Sequence, residues 1–142
     1  MKKYKTGYTT GAYDMFHIGH LNILDKAKQC CDYLIVGVST DELIESAKNK
    51  KPVIPYSERV AILKAIRLVD KVVPQMDKNK FAAWEKYKFD AMFVGDDWRG
   101  KELFQDAEKK LNLVGVDVVY FPYTQNISSS KLKDIIQNLE CE

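Results

Sequence analysis

Gly11-Ala12-Tyr13-Asp14-Met15-Phe16-His17-Ile18-Gly19-His20 joins two stretches of different rhythm. Before it, Tyr4 to Thr10 alternates as a half-buried strand does. After it, Leu21, Ile23, Leu24 and Ala27 recur at helical spacing, so residues 4–10 read as a strand and 19–30 as a helix. Two imidazoles three residues apart at such a junction face the same space. The glycine between them lets backbone and ligand approach closely. A helix N-terminus adds partial positive charge and unpaired N–H groups. Together these features describe a place to hold a polyphosphate.

Concentration strengthens this reading over a plain surface helix start. His17 and His20 are the only histidines in the chain. A zinc site is the poorer reading, because no cysteine or carboxylate pair stands near them at ligand spacing.

Outward from the tetrad, strand and helix alternate. Tyr33 to Val38 is a continuous apolar run, expected of a strand covered on both faces. Residues 40–56, with Lys48, Lys50, Lys51 and two prolines, read mostly as loop. Ser57-Glu58-Arg59 opens a second helix that runs through Leu68. Further strands are expected at 71–74, 91–94 and 116–121, and further helices at 79–88, 101–111 and 129–139. This order predicts an α/β fold: a single Rossmann-like domain spanning 1–142, with a five-stranded, mainly parallel sheet and helices on both faces. Ligands of such sheets bind beyond the carboxyl ends of the strands. His17 and His20 follow strand one, Ser39 to Asp41 strand two, Gly95 to Trp98 strand four, and Thr124 to Lys131 strand five.

Composition narrows the function class. The chain has 142 residues, 46% of them hydrophobic, which supports a real core. With 22 basic and 20 acidic residues the net charge is +2, too balanced for a nucleic-acid binder relying on bulk electrostatics. No apolar run approaches the ~18 residues of a membrane span, and Met1-Lys2-Lys3-Tyr4 is not followed by the apolar segment of a signal peptide. Cys30, Cys31 and Cys141 make no disulfide framework. A cytoplasmic setting is expected.

Around the phosphates of a nucleotide the candidate cations are His17, His20, Lys48, Lys50, Arg59 and Arg67. Ile127-Ser128-Ser129-Ser130-Lys131 puts hydroxyls and free N–H groups at a helix start. Arg59 and Arg67 lie slightly more than two turns apart on one expected helix. One of them is free to reach the pocket while the other pairs with Asp70 or Glu58. Asp14 either orients an imidazole or shapes the turn. There is no G-x-S-x-G elbow, no Walker A string and no G-x-G-x-x-G. What remains is direct displacement at phosphorus, helped by positioning and charge stabilisation.

The decapeptide 11–20 resembles the signature of the small nucleotidyltransferases with an H-x-G-H motif. Tyr56-Ser57-Glu58-Arg59, Val94-Gly95-Asp96-Asp97-Trp98 and Ile127-Ser128-Ser129-Ser130-Lys131 narrow the likeness to the cytidylyltransferases of the glycerol-3-phosphate type. It covers about residues 4–138. The resemblance implies that CTP and a phosphorylated alcohol give a CDP-alcohol and pyrophosphate, with Mg²⁺ accompanying CTP. It also implies a homodimer and a product destined for cell-wall or capsule polymers. It makes His17, His20, Lys48 and Arg59 catalytic. It places Ala12, Tyr13, Asp14, Arg67, Asp97, Tyr123, Thr124, Ile127, Ser128, Ser129 and Ser130 on the nucleotide, and Lys48, Lys50 and Asp41 on the acceptor. No protein-held metal is expected.

The chain departs from the family in two places. Tyr123-Thr124-Gln125-Asn126 stands where the family often has Arg-Thr-Glu-Gly, and Ala12 where it usually has Thr. The acceptor half of the site is therefore the less determined half. Another polyol or amino-alcohol phosphate, an adenylyltransferase of the same superfamily, and a non-catalytic nucleotide-binding subunit are the alternatives. A tRNA-charging fragment is disfavoured by the absence of Lys-Met-Ser-Lys-Ser.

Overall fold

The computed structural model describes residues 2–95 and 101–122. The elements run β1 (Tyr4–Gly11), α1 (Ile18–Cys30), β2 (Cys31–Ser39), α2 (Asp41–Lys48), α3 (Tyr56–Lys64), β3 (Lys71–Gln75), α4 (Lys80–Tyr87), β4 (Ala91–Gly95), α5 (Glu102–Leu113) and β5 (Asp117–Phe121). The five strands form one sheet in the order β3-β2-β1-β4-β5, and every pairing is parallel. This is the α/β, Rossmann-like architecture that the alternation predicts. Chain direction across the sheet reverses at β1, with β2 on one side and β4 on the other, which makes the carboxyl end of β1 the switch point.

The period of two along each strand divides the core into two layers. Leu34, Val36 and Val38 of β2 and Ala91 and Phe93 of β4 pack with Leu24 and Ala27 of α1 and Leu63 of α3. The intervening Ile35, Met92 and Val94 pack on the other face with Tyr8, Val73, Phe104 and Leu111, against which Phe81 and Trp84 of α4 lie. The unbroken apolar runs of β2 and β4 are thus explained by helices on both sides.

Two boundaries differ from expectation. Residues 41–48 are helix, not loop. Thr40 caps α2, its Oγ1 accepting the N–H of Leu43 at 3.2 Å. Asp41 and Glu42 occupy the first turn and Lys48 the last, as the helix dipole favours. Asn49 ends the helix in the left-handed conformation at φ 56°. The density of lysines hid these caps. The second deviation is α3, which stops at Lys64 rather than Leu68. Ile66 and Val69 continue the chain through short turns into β3. The expected helix at 129–139 lies outside the described residues.

Candidate active site

The strand-to-helix junction after β1 is held by its own histidines. His17 is the N-cap of α1, and its Nδ1 accepts the N–H of Gly19 at 3.0 Å. The Nδ1 of His20 accepts the N–H of His17 at 3.2 Å. This is a capping box in which imidazoles do what Ser and Glu usually do. Each Nδ1 is an acceptor, so in the neutral ring the proton sits on Nε2. The rings stack with centroids 3.9 Å apart. Tyr13 and Phe16 flank His20 at 5.4 and 5.3 Å. Burial, and then the neighbouring His17, push the pKa of His20 down to about 4, against the opposing pull of Asp14. Burial also lowers that of His17. At neutral pH the pair therefore presents two neutral Nε2–H donors beside the N–H groups of α1.

The turn that delivers them is strained. Tyr13 and Met15 have φ of 54° and 52°, in a region that bulky residues rarely occupy, each at a cost of about 1–3 kcal/mol. Asp14 between them is buried. Its two carboxylate oxygens accept the N–H groups of Val53 and Ile54, both at 2.8 Å. Asp14 thereby ties the loop after α2 to the histidine turn.

Arg59 is the second tie. It is 1% exposed. Its Nε donates to the carbonyl of Ile54 at 2.9 Å, and one Nη donates to the carbonyls of Ala12 and Ser39, both at 2.7 Å. The other Nη meets the Asp41 carboxylate at 2.7 Å. Asp41 also accepts the N–H of Tyr56 at 3.1 Å, at the start of α3. One guanidinium thus joins the ends of β1 and β2 to the loop before α3. Its partner is neither Asp70 nor Glu58: Asp70 pairs with Lys28 at 2.5 Å.

Of the remaining predicted residues, Lys48 ends α2 and Lys50 lies in the following loop, both exposed. The loop that carries Lys50 is the one Asp14 pins. Arg67 is not brought to this edge with Arg59. It is exposed, in a turn beyond α3, and that helix runs away from the carboxyl edge. Asp97, Tyr123, Thr124, Ile127, Ser128, Ser129 and Ser130 lie outside the described residues.

Sequence reading missed Lys80. It opens α4 directly after Asn79, whose Oδ1 caps that helix, and its Nζ donates to Thr10 Oγ1 near the end of β1 at 3.1 Å. Burial of the ammonium, and then Lys78, lower its pKa to about 8. The rule of strand ends, applied to β3 as it was to the other four, would have pointed to the helix start that follows it.

A resident metal does not fit the described residues. They contain no group of three His, Cys, Asp or Glu side chains able to hold an ion, and Asp14 is already committed to two N–H groups. Among the described residues no helix is long and apolar enough to cross a membrane.

Residues 8–135 match the cytidylyltransferase-like family model. The chain is 40% identical over 138 residues to a glycerol-3-phosphate cytidylyltransferase of Bacillus subtilis (strain 168), covering 92% of this chain and 96% of that one. It is 33% identical to a FAD synthase of Pyrococcus horikoshii, over 91% of this chain and 88% of the relative. In fold it resembles the lipopolysaccharide core biosynthesis protein of Thermoplasma volcanium, with a TM-score of 0.70 at 22% identity, covering 87% of this chain and 99% of that one.

Proposed function

Since the chain belongs to the cytidylyltransferase-like family, we propose that it transfers the cytidylyl group of CTP to a small phosphorylated alcohol, glycerol-3-phosphate first among them, with release of pyrophosphate. The observation that carries this reading is the stacked His17–His20 pair, each Nδ1 held by main chain and each Nε2–H left to donate. The alcohol is taken from the glycerol-3-phosphate cytidylyltransferase that is similar over nearly the whole of both chains.

A phosphate oxygen of the acceptor bonds to the α-phosphorus of CTP. The bond from that phosphorus to the oxygen bridging to the β-phosphate breaks, and its electron pair leaves with pyrophosphate. The attacking oxygen is already anionic, so no proton has to be removed. His17 and His20 donate hydrogen bonds to phosphate oxygens as negative charge builds on them. Fixed donors of this kind are most effective where charge develops in the transition state. Lys80 binds the acceptor phosphate from the α4 side of β1, and Lys48 at the end of α2 and Lys50 in the pinned loop bring positive charge. Arg59 and Asp14 keep the two walls in register. Magnesium bound with CTP would supply charge neutralisation on the nucleotide phosphates. In this reading the enzyme is a cytoplasmic homodimer whose product feeds cell-wall or capsule polymers.

The similarity to a FAD synthase favours a second reading, adenylyl transfer. Comparing kcat/KM for CTP and ATP with glycerol-3-phosphate as acceptor separates them. A clear preference for CTP is expected, and equal values would remove the pyrimidine assignment.

A further inference from the structure

Tyr13 holds a left-handed backbone at φ 54°. Glycine or asparagine meets such a turn with less strain. A bulky residue kept there against that strain points to a use for its side chain. The use is not as surface. Tyr13 is 6% exposed and belongs to the core layer of Leu24 and Leu63, which leaves it little area with which to touch a nucleotide directly.

Both ends of this side chain are fixed. Its base sits in the strained turn. At its tip the hydroxyl meets the side chain of Thr9. Thr9 is itself buried, and its Oγ1 donates to the carbonyl of Phe93 on β4 at 2.9 Å. Between the two ends the ring lies against Gly11, where a Cβ would stand 3.1 Å from two of its carbons. That is tighter than ordinary contact, so a larger residue at 11 would press the ring aside.

What the fixed ring touches is His20. The two rings meet edge to face, with centroids 5.4 Å apart and an interplanar angle of 61°. Phe16 lies against the same imidazole at 32° and His17 at 26°, so Tyr13 is the one of the three set steeply to it. The N–H of His17 fixes His20 Nδ1, but a single hydrogen bond leaves a ring free to rock about that contact. Rocking would swing Nε2–H through an arc, and a donor serves a transition state only from a set position. We propose that the Tyr13 ring is a positioning residue for His20, setting the direction in which its Nε2–H meets the phosphates. The proposal rests on the cytidylyl-transfer reading and deepens it.

The test is a double-mutant cycle on the full-length chain. Tyr13→Leu removes the ring and keeps an apolar side chain. The expected result is a fall in kcat of about tenfold to a hundredfold, the scale on which small misplacements of reacting groups act, with KM for CTP within about twofold. Tyr13→Phe, which puts the ring back, should recover most of that loss. In a His20→Asn background the effect of Tyr13→Leu should shrink to less than about twofold, because a residue that acts only through His20 then has nothing to position. Nitrogen NMR adds a readout that needs no turnover. The titration midpoint of His20, about 4 in the wild type, should rise toward the ordinary histidine range in Tyr13→Leu as the imidazole loses its cover from water. Should Tyr13→Leu fail to fold, Gly11→Ala presses on the same ring and gives the same comparison of kcat in the two backgrounds. An equal fall in kcat with and without His20, or an unchanged kcat in a folded variant, would overturn this assignment while leaving cytidylyl transfer intact. Failure of the wild type to make any CDP-alcohol would instead overturn both.

Discussion

The Nδ1 of His20 accepts the backbone N–H of His17 at 3.2 Å, while the Nδ1 of His17 accepts the N–H of Gly19. Structure and chemistry thereby divide the two ring nitrogens. One nitrogen of each imidazole caps α1, and the other carries the proton of the neutral ring.

This division makes the two roles separable. Asparagine is a good N-cap whose side-chain oxygen can replace Nδ1. His17→Asn should keep thermal stability within about 1 kcal/mol of wild type while lowering kcat by about 10² to 10³, the usual cost of removing one transition-state donor. Circular-dichroism melts alongside steady-state rates check this. Near-wild-type turnover would make His17 a cap and nothing more.

Protonation offers a second check. His20 titrates near its ordinary value in the unfolded chain and at about 4 in the fold. Between those values the unfolded state binds more protons, so stability falls as pH drops through this window and is indifferent to His20 above it. Urea melts should lose stability from pH 7 to pH 4.5, and His20→Asn should lessen that loss. Imidazole nitrogen NMR at pH 7 should show both rings neutral, with the proton on Nε2.

Lys80 sets a limit on the alkaline side. Its ammonium loses its proton near pH 8 in the free enzyme. The value of kcat/KM for the acceptor should therefore decline as pH rises through about 8. Lys80→Met should be weak throughout and lack that decline, with KM for CTP little altered. A profile identical to wild type would remove Lys80 from the acceptor site.

Arg59 should behave as a tie. Truncating it removes the guanidinium donor from the carbonyls of Ala12, Ser39 and Ile54 and leaves the Asp41 carboxylate only the Tyr56 N–H. Arg59→Met should cost about 1–3 kcal/mol in denaturant melts, as leaving buried acceptors without their donor does. Lys48→Ala and Lys50→Ala, at exposed positions, should stay within about 0.5 kcal/mol while slowing turnover.

The parallel sheet was readable because the runs Tyr33–Val38 and Ala91–Val94 are apolar and separated by helix-length segments. The tetrad was readable because both histidines of the chain sit in it. By contrast α2 was obscured, since three lysines in 48–51 masked the Thr40 cap and the acidic first turn. The roles of Arg59 and Asp14 were equally hidden. Sequence shows a charge but not its partners, and both side chains bond main chain far away, Arg59 to Ala12 and Asp14 to Val53 and Ile54. Lys80 escaped notice because its significance depends on Thr10, 70 positions earlier.

The most direct test follows phosphorus itself. Purified protein is incubated with CTP, magnesium and glycerol-3-phosphate, and the mixture is followed by ³¹P NMR. The account predicts that CTP and glycerol-3-phosphate disappear together, giving CDP-glycerol and pyrophosphate in equal amounts, with no reaction when the acceptor is withheld. Pyrophosphate release that ignores the acceptor, or no release with any phosphorylated alcohol, would contradict it.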